Sequence, residues 1–156
     1  MPTITRQWGV KGQQPRVLAD TAHREHVTLF GAVNWKTGEL TGAVADRGNR
    51  TTFRAFLDQI LAAYPKQKIL LILDNVRFHH AKDIQAFLEI EPRLDFIFLP
   101  AYSPELNPQE WVWRQLRQAV TYNATYAKFT DELKAVHDWL KTYRLPMAEI
   151  LRRIIC

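Results

Sequence analysis

The sequence predicts a mixed α/β domain in which one sheet is covered by helices. Two observations lead to this prediction. The first half of the chain reads as a strand hairpin followed by alternating strands and helices, and the last third has apolar residues at helical spacing. With 156 residues, the chain is long enough for one sizeable core and too short for two. We therefore expect a single domain over residues 1–156.

The first part of the chain predicts strands and one helix. A short strand is expected at Arg16–Ala19 and a longer one at His26–Asn34. A turn at Lys36–Gly38 leads into another strand at Glu39–Ala45, which gives a hairpin. The apolar residues at helical spacing that follow are Phe53, Phe56, Leu57, Ile60 and Leu61. Tyr64-Pro65 ends this helix.

The second part predicts two buried strands and then helices. A continuous apolar run in residues 68–74 is typical of a strand that is buried on both faces. A helix at Ala81–Ile90, a strand at Phe96–Leu99 and a loop at Pro100–Pro108 follow. The next helix, Pro108–Tyr122, is expected to bury Val112, Trp113, Leu116, Ala119 and Val120. A further helix carries Phe129, Leu133, Val136 and Leu140 on one face, and a short last helix begins near Pro146.

Composition and charge restrict the function classes. Hydrophobic residues make up 47% and charged residues 24% of the chain, which excludes a disordered protein. No apolar run approaches the roughly 20 residues of a membrane span, and the first residues carry no secretory signal, so we expect a soluble cytoplasmic protein. Cys156 is the one cysteine, which excludes an intrachain disulfide. The net charge of +5 favours polyanionic partners such as nucleic acid.

Two acidic residues stand at positions where catalytic carboxylates occur. Asp74 follows the apolar run, and ligands of open α/β sheets bind at the carboxyl ends of such strands. The alternative is that Asp74 and Asn75 only end the strand and start a turn. Glu110 stands third in a helix that begins with Asn107 and Pro108, which is also the pattern of a capping box. Two converging carboxylates suit Mg²⁺ or Mn²⁺, but each acid also has a structural explanation.

Two segments resemble the signature blocks of a known enzyme family. Residues 71–82 (LILDNVRFHHAK) and 99–113 (LPAYSPELNPQEWVW) look like the second and third blocks of bacterial insertion-sequence transposases of the Tc/mariner superfamily. Between Asp74 and Glu110 lie 35 residues, close to the spacing that these enzymes keep between their last two acids. Residues 8–15 (WGVKGQQP) and 27–34 (VTLFGAVN) also resemble the family, so the resemblance covers nearly the whole chain.

The resemblance implies a ribonuclease-H-like mixed sheet flanked by helices, and cutting and joining of DNA by metal-dependent phosphoryl transfer. It implies Asp74 and Glu110 as catalytic metal ligands, with two Mg²⁺ or Mn²⁺ ions in a complete site. The family's first catalytic Asp stands upstream of the residues that match Trp8, so we expect the first strand to be missing from this chain. We assign its role to no other acid.

A missing first strand would have consequences for the partners and the activity of the chain. A sheet without that strand has an unpaired edge, so we expect a homodimer or the N-terminal part of the same transposase as partner, in addition to DNA. The chain fits a decayed gene, one reading frame of a frameshifted pair, or an expressed fragment. We expect weak cleavage or none by the isolated chain. The alternatives are a non-catalytic DNA-binding remnant and another ribonuclease-H-like nuclease, such as an integrase or resolvase.

Several residues near the two acids are candidate DNA contacts. His79 and His80 follow the Asp-Asn pair, where a histidine recurs in the family, and either ring is expected to contact a phosphate or to order the metal site; plain solvated residues at a helix start are the alternative. The other candidates are Arg77, Lys82, Trp111, Arg114 and Arg117. For the basic ones the alternative is ordinary surface charge.

Overall fold

In the computed structural model of the chain, the described residues are 26–100, 107–122 and 124–146. Within these ranges the chain forms two two-stranded sheets and four α-helices. This is the mixed α/β architecture that the sequence predicts. None of the helices in the described ranges is long and apolar enough to cross a membrane. The strand expected at Arg16–Ala19 and the helix expected from Pro146 lie outside the described residues.

The hairpin is confirmed as strands β1 (Thr28–Val33) and β2 (Leu40–Ala45), which pair antiparallel. Asn34 organises the turn, because its Oδ1 accepts a hydrogen bond from the Lys36 amide at 2.9 Å. Gly38 ends the turn with φ at 72°, in the left-handed region that glycine adopts without a steric penalty.

Helix α1 (Arg50–Ala63) begins at a complete capping box. The Asn49 side chain accepts hydrogen bonds from the amides of Thr51 and Thr52, and the Thr52 hydroxyl oxygen accepts one from the Asn49 amide in return. The helix buries the apolar residues that its spacing predicts: Phe53, Phe56, Leu57, Ile60 and Leu61.

The second sheet pairs β3 (Ile69–Leu73) with β4 (Leu94–Phe98) in parallel. A 3₁₀ turn at Arg77–His80 and helix α2 (Lys82–Ile90) connect them. The expectation that β3 is buried on both faces is wrong. Its odd-numbered residues pack against the core, but the side chains between them, Leu70 and Ile72, are 55% and 60% exposed, because the core on α1 and α2 covers only one face of this strand.

Helices α3 (Pro108–Leu116) and α4 (Phe129–Thr142) form the end of the described chain. A π-helical turn, Arg117–Thr121, follows α3 directly. The prediction that Ala119 is buried is wrong: the wider π turn changes the helical phase, so Val120 is buried and Ala119 is exposed. In α4, Val136 and Leu140 are buried as expected.

Two apolar clusters lie on opposite faces of the hairpin. The first is largely aromatic, is built on α1 and α2, and includes Phe30 of β1. The second is built on α3 and α4 and takes Leu29 and Val33 of the same strand. β1 is therefore covered by helices on both sides. This arrangement places the start of α3 beside the edge of the hairpin that faces β3.

Candidate active site

Asp74 is the residue at which β3 leaves the sheet. The last ladder contact of the strand is the bond from the Leu99 amide to the Leu73 carbonyl, at 2.7 Å. Asp74 follows immediately, and its side chain is 54% exposed. The end of β3 therefore presents a carboxylate to solvent.

Glu110 stands at the first turn of α3. Asn107 caps this helix, since its Oδ1 accepts a hydrogen bond from the Gln109 amide at 3.0 Å, and Pro108 occupies the first position. The Glu110 carboxylate closes no capping box: among the described residues, that reciprocal bond is found at α1 and not at α3. Glu110 is exposed. Its carboxylate therefore does not have the helix-capping role that the sequence pattern offered as an alternative.

Asp74 and Glu110 line one cavity of about 570 Å³. One wall is the edge of β1, all six of whose residues line it, and the opposite wall is Leu70–Leu73 of β3. Aromatic residues of α1 close one side and the start of α3 closes the other. The structure thus brings the two acids from the sequence pattern to the same cavity, from a strand end and a helix start.

His79 connects the end of β3 to the apolar core. Its Nδ1 lies 3.1 Å from the main-chain oxygen of Asp74 and 3.4 Å from Oδ1 of the same residue. The ring packs 4.2 Å from that of Phe53 and is 7% exposed. Desolvation lowers the pKa of His79, and this effect outweighs the hydrogen bond to Asp74 and the charge of that residue, which favour the protonated ring. This burial could not be predicted from the sequence, because Phe53 lies on a different element, helix α1.

His80 and Asn75 form a second link. His80 Nε2 lies 3.2 Å from Asn75 Oδ1, and the Asn75 side chain donates to the carbonyl of Leu99 after β4. The His80 ring stacks on Phe98, with the ring centres 4.1 Å apart. His80 is exposed, so a phosphate has access to it, whereas the buried His79 ring turns its polar edge towards Asp74.

The remaining candidate DNA contacts divide into two groups. Four basic residues are exposed: Arg77, Lys82, Arg114 and Arg117. Trp111 is half-buried and packs against the second apolar cluster. The structure therefore gives Trp111 a packing role beside α4.

Gln109 is a residue of the cavity that the sequence did not point to. Its Nε2 is buried and has no hydrogen-bond partner among the described residues. This atom lies over Gly31 of β1, where a Cβ would stand 2.5 Å from it. A buried polar atom without a partner is costly, so Gln109 marks a place where the cavity offers a donor.

The donor set suits a divalent ion without completing its site. Among the described residues no three His, Cys, Asp or Glu side chains stand together as a metal centre. The carboxylates of Asp74 and Glu110 carry the hard oxygen atoms that such an ion prefers, and Mg²⁺ keeps several waters and binds through as few as one or two protein carboxylates.

Comparisons with known proteins identify the family and the fold of the chain. The sequence model of the DDE superfamily endonucleases matches residues 1–134. The chain therefore belongs to the DDE superfamily endonuclease family. The "Insertion element IS630 uncharacterized 39 kDa protein" of Shigella sonnei is 30% identical over 142 residues, which cover 90% of this chain and 41% of that protein.

Solved structures show the same fold. The "Mos1 transposase paired-end complex with left transposon end" matches with a TM-score of 0.68 at 15% identity, over 99% of this chain and 48% of that one. The "Mos1 mariner paired end complex with Mn" matches with a TM-score of 0.66 at 14% identity, over 99% and 47%. The predicted relation to Tc/mariner transposases and the ribonuclease-H-like fold are confirmed. The chain spans less than half the length of these relatives.

Proposed function

We propose that the chain is the catalytic-core part of a DNA transposase, and that Asp74 and Glu110 are its metal ligands. The observation that carries this proposal is that both carboxylates line one cavity of a DDE-family core. Mg²⁺ or Mn²⁺ held there would activate the attacking hydroxyl and stabilise the leaving oxygen of the cut strand. The exposed basic residues on either side, such as Arg77 and Arg114, would bind the phosphates of the transposon end and of target DNA.

We further propose that the site is completed by another polypeptide segment. No described strand pairs with the edge of β1 that faces the cavity, nor with the edge of β3 opposite it. Unpaired edges that line an apolar cavity favour the addition of a strand. The rest of the transposase, or a second copy of the chain, would supply it, and the isolated chain would cut DNA weakly or not at all.

The metal-ligand proposal is tested by Mn²⁺ titration, followed by electron paramagnetic resonance of the free ion. Asp74→Asn and Glu110→Gln should each weaken Mn²⁺ binding about tenfold or more, because each removes a charged oxygen ligand. Glu89→Gln is the matched control, since Glu89 is an exposed acid on α2 that does not line the cavity. Equal Mn²⁺ affinity in all four proteins would refute the assignment.

A non-catalytic DNA-binding remnant is the second candidate, favoured by the absence of a three-carboxylate cluster among the described residues. DNA binding without any Mn²⁺ binding at Asp74 and Glu110 would support this candidate. Efficient Mg²⁺-dependent nicking of a plasmid, abolished by Glu110→Gln, would exclude it and would contradict the weak activity expected above.

A further inference from the structure

The main chain on either side of Asp74 is held by one residue of the neighbouring strand end. Leu99 donates its amide to the Leu73 carbonyl at 2.7 Å and accepts a hydrogen bond from the Asn75 side chain at its own carbonyl. The residues before and after Asp74 are therefore both tied to Leu99. The main-chain carbonyl of Asp74 itself forms a hydrogen bond with Nδ1 of His79, at 3.1 Å.

These bonds determine which nitrogen of each imidazole carries the proton. A main-chain carbonyl only accepts, so His79 must donate from Nδ1 and leave Nε2 as an acceptor. The Asn75 amide nitrogen is already used towards Leu99, so its Oδ1 is an acceptor and His80 must donate from Nε2. The two adjacent histidines therefore require opposite tautomers.

We propose that His79 and His80 are positioning residues for the Asp74 carboxylate, which act through Nδ1–H of His79 and Nε2–H of His80. His79 is 7% exposed and its ring packs against those of Phe53 and Phe78, with ring centres 4.2 and 4.7 Å away, so its position is fixed by the core. His80 is fixed by stacking on Phe98. His79 thus ties the main chain of Asp74 to the core, and His80 ties the next residue, Asn75, to Phe98, while the Asp74 side chain itself is 54% exposed.

The consequence for metal binding rests on the proposed function, in which Asp74 is a ligand. Groups that orient a ligand through hydrogen bonds typically change metal affinity by about 10–100-fold when they are removed.

The tautomers are measured directly by long-range ¹H–¹⁵N correlation spectra of the labelled full chain at a pH where the rings are neutral. We expect Nδ1–H at His79 and Nε2–H at His80. His137 is an internal reference, because it is exposed on α4 and should show the tautomer mixture of free imidazole. Protonation of His79 at Nε2, or a tautomer mixture at His79 like that of His137, would overturn the proposal.

A pair of variants separates positioning from packing. His79→Phe keeps a ring against Phe53 but removes the donor, whereas His79→Asn keeps a side-chain N–H donor but removes the ring. In His79→Phe we expect the amides of Asp74 and Asn75 to become more mobile by NMR relaxation and Mn²⁺ to bind about tenfold more weakly, with little change in thermal midpoint. His79→Asn should lower the midpoint more and retain more of the Mn²⁺ affinity.

The two proposals fail in different ways. If the tautomers and the mobility follow expectation but the wild-type chain binds no Mn²⁺, the positioning of Asp74 stands and its role as a metal ligand falls. If Mn²⁺ binds through Asp74 and Glu110 while His79→Phe changes neither mobility nor affinity, the metal site stands and the positioning role is refuted.

Discussion

Gly31 of β1 lies directly against the helix that carries Glu110. A Cβ at this position would stand 2.5 Å from Nε2 of Gln109 and 2.7 Å from the ring of Trp113. Both distances are shorter than any normal contact, so another side chain fits only if the Gln109 and Trp113 side chains shift. The absence of a side chain at Gly31 therefore allows these two residues of α3 to pack against β1.

Gly31→Ala should destabilise the chain by about 1–3 kcal/mol, the usual cost of forcing extra atoms into a packed site. It should also weaken Mn²⁺ binding, because a shift of Gln109 and Trp113 disturbs the first turns of α3, which carry Glu110. Gly48→Ala is the control, since the atom nearest to its Cβ would be Thr28 Cγ2 at 3.2 Å, followed by Phe78 Cε1 at 3.5 Å. Urea denaturation and Mn²⁺ titration of the two variants measure both effects, and equal losses would contradict the role of Gly31.

Residue by residue, the sequence located the acids but not their surroundings. The apolar pattern places Asp74 at a strand end and Glu110 at a helix start, but only the resemblance of residues 71–82 and 99–113 to the family's signature blocks made them candidate metal ligands. The burial of His79 could not be predicted, since it depends on Phe53 being brought against the end of β3 from α1. The same holds for Gln109, whose exclusion from water follows from the approach of α3 to Gly31.

At the level of elements, an asparagine caps the start of two helices that have different roles. Asn49 caps α1, a core helix, and Asn107 caps α3, which presents Glu110 to the cavity. In both cases the asparagine Oδ1 accepts a hydrogen bond from a main-chain amide of the first turn, at 2.8 Å from Thr51 and at 3.0 Å from Gln109. Because the two bonds are similar, removing each of them in turn separates the effect of a lost cap on stability from its effect on metal binding.

Asn107→Ala and Asn49→Ala should each cost about 1 kcal/mol of stability, the typical value for an N-cap. Only Asn107→Ala should also reduce Mn²⁺ affinity, because fraying of the first turn of α3 releases Glu110. Thermal unfolding and Mn²⁺ titration of both variants check this difference. If Asn49→Ala weakened Mn²⁺ binding as much, the effect would be one of general stability.

The order and type of the elements in the described ranges could largely be predicted. The spacing of apolar residues that indicates a strand or a helix is a local property of the chain. Two details could not be predicted. The exposure of Leu70 and Ile72 depends on which faces of the β3–β4 sheet the helices cover. The π turn after α3 reverses the expected burial of Ala119, and an apolar pattern carries no signal for the width of a helical turn.

On the scale of the whole molecule, the described residues form two half-sheets whose free edges face one cavity. A strand placed there would meet Phe53 and Phe56 on one side and Gln109 and Trp113 on the other. It would therefore be covered on both faces, as central strands of α/β sheets are, and such strands are apolar throughout. Hydrogen bonds on both edges would exclude proline.

These requirements define a test of strand addition. A synthetic peptide with a run of about six Val and Ile residues and lysines at both ends, a length typical of strands, should raise the thermal midpoint of the chain. It should also slow hydrogen exchange at amides of β1 and β3. The matched peptide with a central proline should do neither, because proline removes a ladder donor and fits poorly in a central strand.

The same measurement distinguishes the two proposed sources of the strand. If amides of β1 and β3 become protected as the concentration of the chain alone is raised, together with a dimer in sedimentation, then a second copy fills the cavity. If protection requires the added peptide, the cavity accepts a strand that a second copy of the chain does not supply. A monomer that unfolds cooperatively and responds to neither peptide would contradict strand addition, since free edges beside an apolar cavity should gain stability when they are paired.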